Sequence, residues 1–225
     1  MNPGELVTSH TIYACVVGSR AYGLDGPDSD IDRRGVFQVP TPSFWHLDKP
    51  PTHADGPLPE QFSWELERCC VLALAANPTV LECLWSPIVT LVTPIGTELL
   101  AIRTAFLSRR VARTYGDYAA AQLTKLEGVR AKHGQIRWKQ AMHMIRLLMA
   151  GVHVLRTGEV LVDVASSRAA LLAIRSGAVP WDDVVAQAAK LRAELGSALT
   201  ATALPEEPAR AEVDNFLVRA RRSAL

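Results

Sequence analysis

Strand-forming runs stop near residue 93 of this 225-residue chain, and that break limits the fold more than any other feature. Before it, TIYACVV (residues 11–17) mixes β-branched and aromatic residues and ends at Gly18, the pattern of a buried strand entering a tight turn. IDRRGVFQV (31–39) reads as a second strand, halted by Pro40 and Pro42, and a loop rich in Pro, Gly and His follows. EQFSW (60–64) and IVTLV (88–92) read as short strands. Between them, ELERCCVLALAA repeats apolar residues at helical spacing until Asn77-Pro78 stops it. After the break, Ala, Leu and Arg dominate. Thr93 with Pro94 predicts a helix start, and further helices are predicted at about 109–127, 137–156, 166–175, 180–199 and 208–222. The expected class is α+β: a small mixed β-sheet domain over residues 1–95, then an α-helical domain over 96–225. No internal repeat or low-complexity block interrupts this plan.

Bulk charge decides little. The chain has 24 basic and 23 acidic residues, a formal net charge of +1, so any electrostatic message is local. Hydrophobic content of 48% and charged content of 21% are those of a globular chain. MNPGELVTSH lacks the basic start and apolar run of a signal peptide, and no apolar stretch nears the roughly 20 residues of a membrane helix, so a cytoplasmic protein without a membrane partner is expected. Cys15, Cys69, Cys70 and Cys83 show no zinc spacing and read as buried free thiols of a reducing compartment.

GSRAYGLDGPDSDID (18–32) sets a conflict: a Gly-Ser turn suited to an anion stands before Asp25, Asp28, Asp30 and Asp32, which would repel one. A shared cation resolves it. In a strand, alternate side chains point the same way, so Asp30 and Asp32 fall on one face. Hard oxygen donors suit Mg²⁺ or Mn²⁺ better than zinc, and Mg²⁺ is typically held by one or two carboxylates plus phosphate oxygens. The amides and hydroxyl of Gly18-Ser19 would then take the far end of the phosphate. An acidic turn of solvated side chains would give the same D-x-D. Gly18 and Gly23 have P-loop spacing, but Leu24 and Asp25 stand where that motif needs Lys and Ser or Thr.

The stretch VVGSRAYGLDGPDSDIDRRGV resembles the signature of the DNA polymerase β-like nucleotidyltransferase superfamily. With NPTVLECLW and WKQAMHMIRLL…LRTGE it is similar to a bacterial group of predicted nucleotidyltransferases associated with RNA repair, over about residues 10–160. The resemblance implies a two-metal, Mg²⁺-dependent (or Mn²⁺-dependent) ATP- or other nucleotide-binding transferase that moves a nucleoside monophosphate to an acceptor and releases pyrophosphate. Asp30 and Asp32 would hold both cations. Glu60, before the helix as in the family pattern, would be the third carboxylate, with Glu65 and Glu67 as rivals that helical placement would make surface or cap residues. Many superfamily members carry Asp there; Glu is one methylene longer. Gly18, Ser19, Arg20 and Tyr22 match the nucleotide-binding loop, although Arg20 and Tyr22 also suit purely structural hydrogen bonding.

On the helix expected at 137–156, Lys139, His143, Arg146 and His153 line one face and Met142, Ile145, Met149 and Val152 another. A solvated face would look the same. The resemblance carries Lys139, His143 and Arg146 over as nucleotide contacts and implies that the helical domain contributes to a nucleotide and acceptor cleft. Arg33 and Arg34 alternate, so at most one faces the site. Trp64, Trp85, Trp138 and Trp181 read as packing, and Glu82 as a capping or pairing carboxylate. The acceptor is open, with RNA favoured by the basic stripe and the RNA-repair association. A sensor that keeps the fold and binds nucleotide or RNA without turnover is the alternative.

Overall fold

The computed structural model describes residues 3–225. They form two compact units: the chain up to Leu107 together with Pro208–Leu225, and Ser108–Glu207.

The first unit is built on a five-stranded mixed sheet in the order β3-β4-β2-β1-β5. Its elements are α1 (Pro3–His10), β1 (Thr11–Val17), α2 (Gly18–Ala21), β2 (Asp32–Phe37), β3 (His53–Asp55), β4 (Gln61–Glu65), α3 (Leu66–Leu74), α4 (Pro78–Leu84), β5 (Ile88–Val92), α5 (Pro94–Ala101) and, after the second unit, α10 (Arg210–Ser223). β1 runs antiparallel to β2 and β5, β4 runs parallel to β2, and β3 closes the far edge antiparallel to β4. The expected strands are present. α1, β3 and α4 add to them, and the strand expected from Glu60 begins one residue later, at Gln61.

Two apolar layers hold this sheet. On one face Phe37 and Val39 bury against Leu6 and Val7 of α1 and Ala54 of β3. On the other, the Tyr13 hydroxyl donates to the Cys83 carbonyl of α4 at 2.7 Å. All four cysteines are buried free thiols. The Cys15 and Cys83 sulfurs lie 3.4 Å apart. The hydrogen bond with Cys83 lowers the Cys15 pKa, while burial pushes Cys70 up to about 12.

The last helix belongs to this unit because its partners are buried polar groups of the sheet layer. Gln38 Nε2 donates to the Ala220 carbonyl and Thr41 Oγ1 to that of Arg221, both at 2.5 Å. Arg221 forks onto the buried Glu65 carboxylate at 2.7 and 3.0 Å. A two-donor guanidinium fork is the geometry that compensates a buried carboxylate best. The units therefore differ in bounds from a division into 1–95 and 96–225, since contacts between positions so distant in sequence leave no periodic trace.

The second unit contains α6 (Arg110–His133), α7 (Trp138–Thr157), α8 (Arg168–Arg175) and α9 (Trp181–Ala201). α7 packs on α6, α8 and α9 and is buried on nearly every side, from Ala141 to Leu155. Gly151 permits that closeness: a Cβ there would meet the Tyr115 Cβ at 3.0 Å and Leu195 at 3.1 Å. Trp138 packs edge-on against Trp181. In the first unit Trp64 is buried and Arg103 covers the Trp85 ring at 4.9 Å, so these tryptophans serve packing. Among the described residues no helix is long and apolar enough to cross a membrane.

Candidate active site

The site begins where β1 ends. Val17 pairs with Asp32 across the hairpin, and the chain then turns at Gly18 with φ +71°. A Cβ at Gly18 would collide with the Asp32 carboxylate, so the position needs glycine for both its left-handed backbone and its lack of a side chain. The register thereby sets one of the two aspartates directly against the Gly-Ser turn. The turn continues as α2, with Tyr22 N donating to the Gly18 carbonyl at 3.0 Å and Leu24 N to that of Ser19 at 2.8 Å.

Two further side chains fix the acidic loop. Arg20 Nη2 donates to the Ser29 carbonyl at 2.8 Å and Nε to that of Asp30 at 3.3 Å. Tyr22 is buried, and its hydroxyl donates to Glu82 Oε2 at 2.6 Å. Glu82 lies in α4, whose start is set by Asn77: Oδ1 accepts from Val80 N at 3.2 Å, with Pro78 at the first helical position. Both residues expected to face nucleotide are thus engaged within the protein, Arg20 with the aspartate loop and Tyr22 with a buried carboxylate.

Asp30 is exposed just before β2, and Asp32 is half-buried as its first residue. Glu60 follows the loop from β3 and has φ +53°. Its carbonyl accepts from Arg33 N at 2.9 Å and Arg34 Nη1 at 3.1 Å, while its side chain is exposed. Since Arg33 pairs with Gln61 in the parallel ladder, Glu60 stands level with Asp32. The rival carboxylates have other roles. Glu65 caps α3 by accepting from Glu67 N at 2.7 Å and pairs with Arg221; Glu67 reaches the same arginine at 3.4 Å.

Asp30, Asp32 and Glu60 form no ion pair among the described residues. Their oxygens are hard donors that fit Mg²⁺ or Mn²⁺ rather than a soft ion. Among the described residues no three such groups stand close enough together to hold one ion. The residues fit a dication in kind, therefore: Asp32 opens β2, Asp30 lies two residues before it and outside the strand, so strand alternation does not set its face, and Glu60 stands one strand away.

The basic helix differs from a uniform cationic stripe. Lys139 is exposed, His143 is half-buried and Arg146 is buried at 5% exposure. Burial lowers the His143 pKa to about 4, helped by the charges of Arg146, Lys139 and Arg175, so its imidazole is neutral at physiological pH. Met149, expected on the packed face, is half-buried.

The chain matches the RNA repair pathway DNA polymerase beta family (RlaP) over residues 5–219 and belongs to that family. No curated protein matches it. The family is of the DNA polymerase beta-like nucleotidyltransferase type, in agreement with the motifs on β1 and β2.

Proposed function

We propose that this member of the RNA repair pathway DNA polymerase beta family transfers a nucleoside monophosphate from a nucleoside triphosphate to an acceptor hydroxyl, with RNA as the acceptor. The observation that carries the reading is the Asp32 carboxylate packed on Gly18 at the β1–β2 register. It joins the anion-holding turn to the cation-holding acid in one place.

In this reading Ser19 and the first amides of α2 bind the triphosphate's far end, a role helix-start amides suit because they lack intrahelical partners. Asp30 and Asp32, with Glu60, would hold Mg²⁺ or Mn²⁺, which supplies neutralisation of charge on the entering and leaving oxygens. Glu60 takes the proton of the acceptor hydroxyl. The acceptor oxygen then bonds to the α-phosphorus as the bond from that phosphorus to the β-phosphate's bridging oxygen breaks, and pyrophosphate leaves. Arg20 and the Tyr22–Glu82 pair keep the loop in place.

RNA as acceptor is favoured by the family description and by a groove of about 420 Å³ in the second unit, lined by Lys125, Lys132, His133 and Arg137 with no carboxylate among its lining residues. The test is incubation with each labelled nucleoside triphosphate, Mg²⁺ or Mn²⁺, and an RNA acceptor. Label transfer with pyrophosphate release is expected, and its persistence in the Asp30→Ala, Asp32→Ala double variant rejects the proposal. The exposed Glu60 side chain favours a second reading, a nucleotide or RNA sensor. Calorimetric nucleotide binding without pyrophosphate release, whatever the acceptor, would select it.

A further inference from the structure

We propose that a cavity of about 570 Å³ beside Glu60 receives the terminal ribonucleotide of the acceptor strand, its base packed against Phe62 and its phosphodiester facing Arg34. The assignment rests on the transferase reading and names where its acceptor sits. Arg34, Asp55, Leu58, Glu60, Phe62 and Trp64 line the cavity.

The sheet register explains its position. Asp32 and Arg34 lie two apart on β2 and share a face, and the parallel ladder sets Arg34 beside Phe62 and Val36 beside Trp64. The cavity floor is therefore the continuation, toward β4 and β3, of the face that carries Asp32. Glu60 stands at its rim. A hydroxyl delivered from this side reaches the proton acceptor and the aspartates without crossing the Gly18-Ser19 turn, which lies on the opposite flank of β2.

The lining chemistry fits one nucleotide of a strand better than a triphosphate. Phe62 is half-buried, with His53 stacked on it at 5.5 Å from β3, Arg34 over it from β2 and Trp64 edge-on at 5.2 Å, so its ring is held rigid with both faces flanked and an edge left to the cavity. An aromatic edge packs against the face of any base. Arg34 is the one cation among the lining residues; its guanidinium carbon lies 5.9 Å from the Phe62 ring centre. Its hydrogen bonds, to the carbonyls of Arg33 and Glu60 at 2.7 and 3.1 Å, both leave from Nη1. It enters no ion pair among the described residues, and the Nε and Nη2 donors remain for an anion. One cation matches one phosphodiester. The carboxylates of Asp55 and Glu60 would repel a polyphosphate but accept hydrogen bonds from ribose hydroxyls, the groups that separate RNA from DNA. Leu58, 51% exposed, marks an open side through which the rest of the strand would leave.

Fluorescence anisotropy with a single-stranded RNA hexamer labelled at the end remote from the acceptor hydroxyl, in Mg²⁺ without nucleotide, tests the site independently of turnover. Phe62→Ala should weaken binding several-fold and Phe62→Tyr by less than about twofold, as loss or retention of one edge-to-face aromatic contact requires. Leu58→Glu, at an exposed position that should not disturb folding, should weaken it several-fold by repelling the phosphodiester. A DNA hexamer should bind several-fold more weakly than RNA, and Asp55→Ala should narrow that gap. Binding of a non-hydrolysable triphosphate with Mn²⁺, by calorimetry, should be unchanged in all of these. Wild-type protein that does not bind RNA, or RNA affinity unchanged from wild type in both Phe62→Ala and Leu58→Glu, overturns the proposal. So does loss of triphosphate binding in those variants, which would make the cavity the seat of the nucleotide's own base. Transfer to RNA with an unaltered KM in Phe62→Ala would sink the cavity assignment and leave the transferase standing. Phe62-dependent RNA binding by a protein that transfers no label would do the reverse.

Discussion

The end of β1–β2 and the helix α7 carry the two halves of the expected machinery, and they follow their sequence patterns to different degrees. At the hairpin, partners are near neighbours in the chain: Val17 opposes Asp32, Arg20 grips the carbonyls of Ser29 and Asp30, and Gly18 leaves space for one carboxylate. Local spacing decides such geometry, because strand alternation and a tight turn are local rules. On α7 the same kind of spacing argument predicts a basic face and an apolar face. The helix is instead surrounded by α6, α8 and α9, which bury Arg146 and desolvate His143. What a helix face meets is set by elements elsewhere in the chain.

If that contrast holds, damage at the hairpin should hit chemistry far harder than stability. Asp32→Asn keeps the shape beside Gly18 and removes the charge. It should lower nucleotidyl transfer by roughly a thousandfold, about 4 kcal/mol in the barrier, while the thermal unfolding midpoint stays where it is or rises. A variant within tenfold of wild-type rate would place the essential charge elsewhere.

The reverse signature belongs to Arg221. Its removal leaves the Glu65 carboxylate, 3% exposed, without its fork, and Arg221→Ala should cost about 3 kcal/mol in denaturant unfolding. Replacing Glu67, whose contact with the same arginine is long and largely exposed, should change stability by less than about 0.5 kcal/mol. Equal losses in the two variants would mean that α10 is held by something other than the buried fork. Gly18→Ala lies between these poles. A left-handed alanine costs of order 1–3 kcal/mol, and the added methyl must also displace Asp32, so stability and transfer should fall together.

Much of the first unit was legible because its strands carry strong β-branched runs and sit between turn residues, as TIYACVV and IVTLV do. α4 was also encoded, in the Asn77 cap and the proline after it, but those residues were read only as the end of the preceding helix. α1 and the three-residue β3 carry no comparable signal: the first is a short helix with little pattern, the second exists only because β4 offers an edge. In the candidate site the aspartates and the Gly-Ser turn could be read directly. Arg34 and Phe62 could not, since their shared face depends on a parallel pairing between strands separated by a long loop. Glu65 was already set apart from Glu60 as a candidate cap residue, but the arginine that pairs with its carboxylate, Arg221, is 156 positions away and left no local trace.

His143 tests the buried side of α7 by titration. Its imidazole titrates near pH 4 in the folded protein against an ordinary 6.5. As pH falls below 6.5 the unfolded chain takes up a proton that the folded protein refuses, so stability drops from about pH 6.5 down to about pH 4 and then levels. The slope is at most about 1.4 kcal/mol per pH unit. His143→Gln should flatten that limb of the stability curve, measured by denaturant unfolding at fixed ionic strength. Parallel curves for the two proteins would show that the ring is solvated and that α7 is more open than its neighbours imply.

Lys139 should give the smallest effect and the sharpest distinction on the same helix. It is exposed and enters no ion pair among the described residues, so Lys139→Ala should leave stability within about 0.5 kcal/mol. If it meets a phosphate of bound RNA, the slope of log affinity against log salt should become shallower by about 0.7, the value for one contact to a single strand. An unchanged slope removes Lys139 from the RNA phosphate contacts. Because exposure and charge are retained nowhere else among Lys139, His143 and Arg146 together, that result would leave α7 as a packing element with a buried arginine, and the groove lined by Lys125, Lys132, His133 and Arg137 as the place to look for the phosphate backbone.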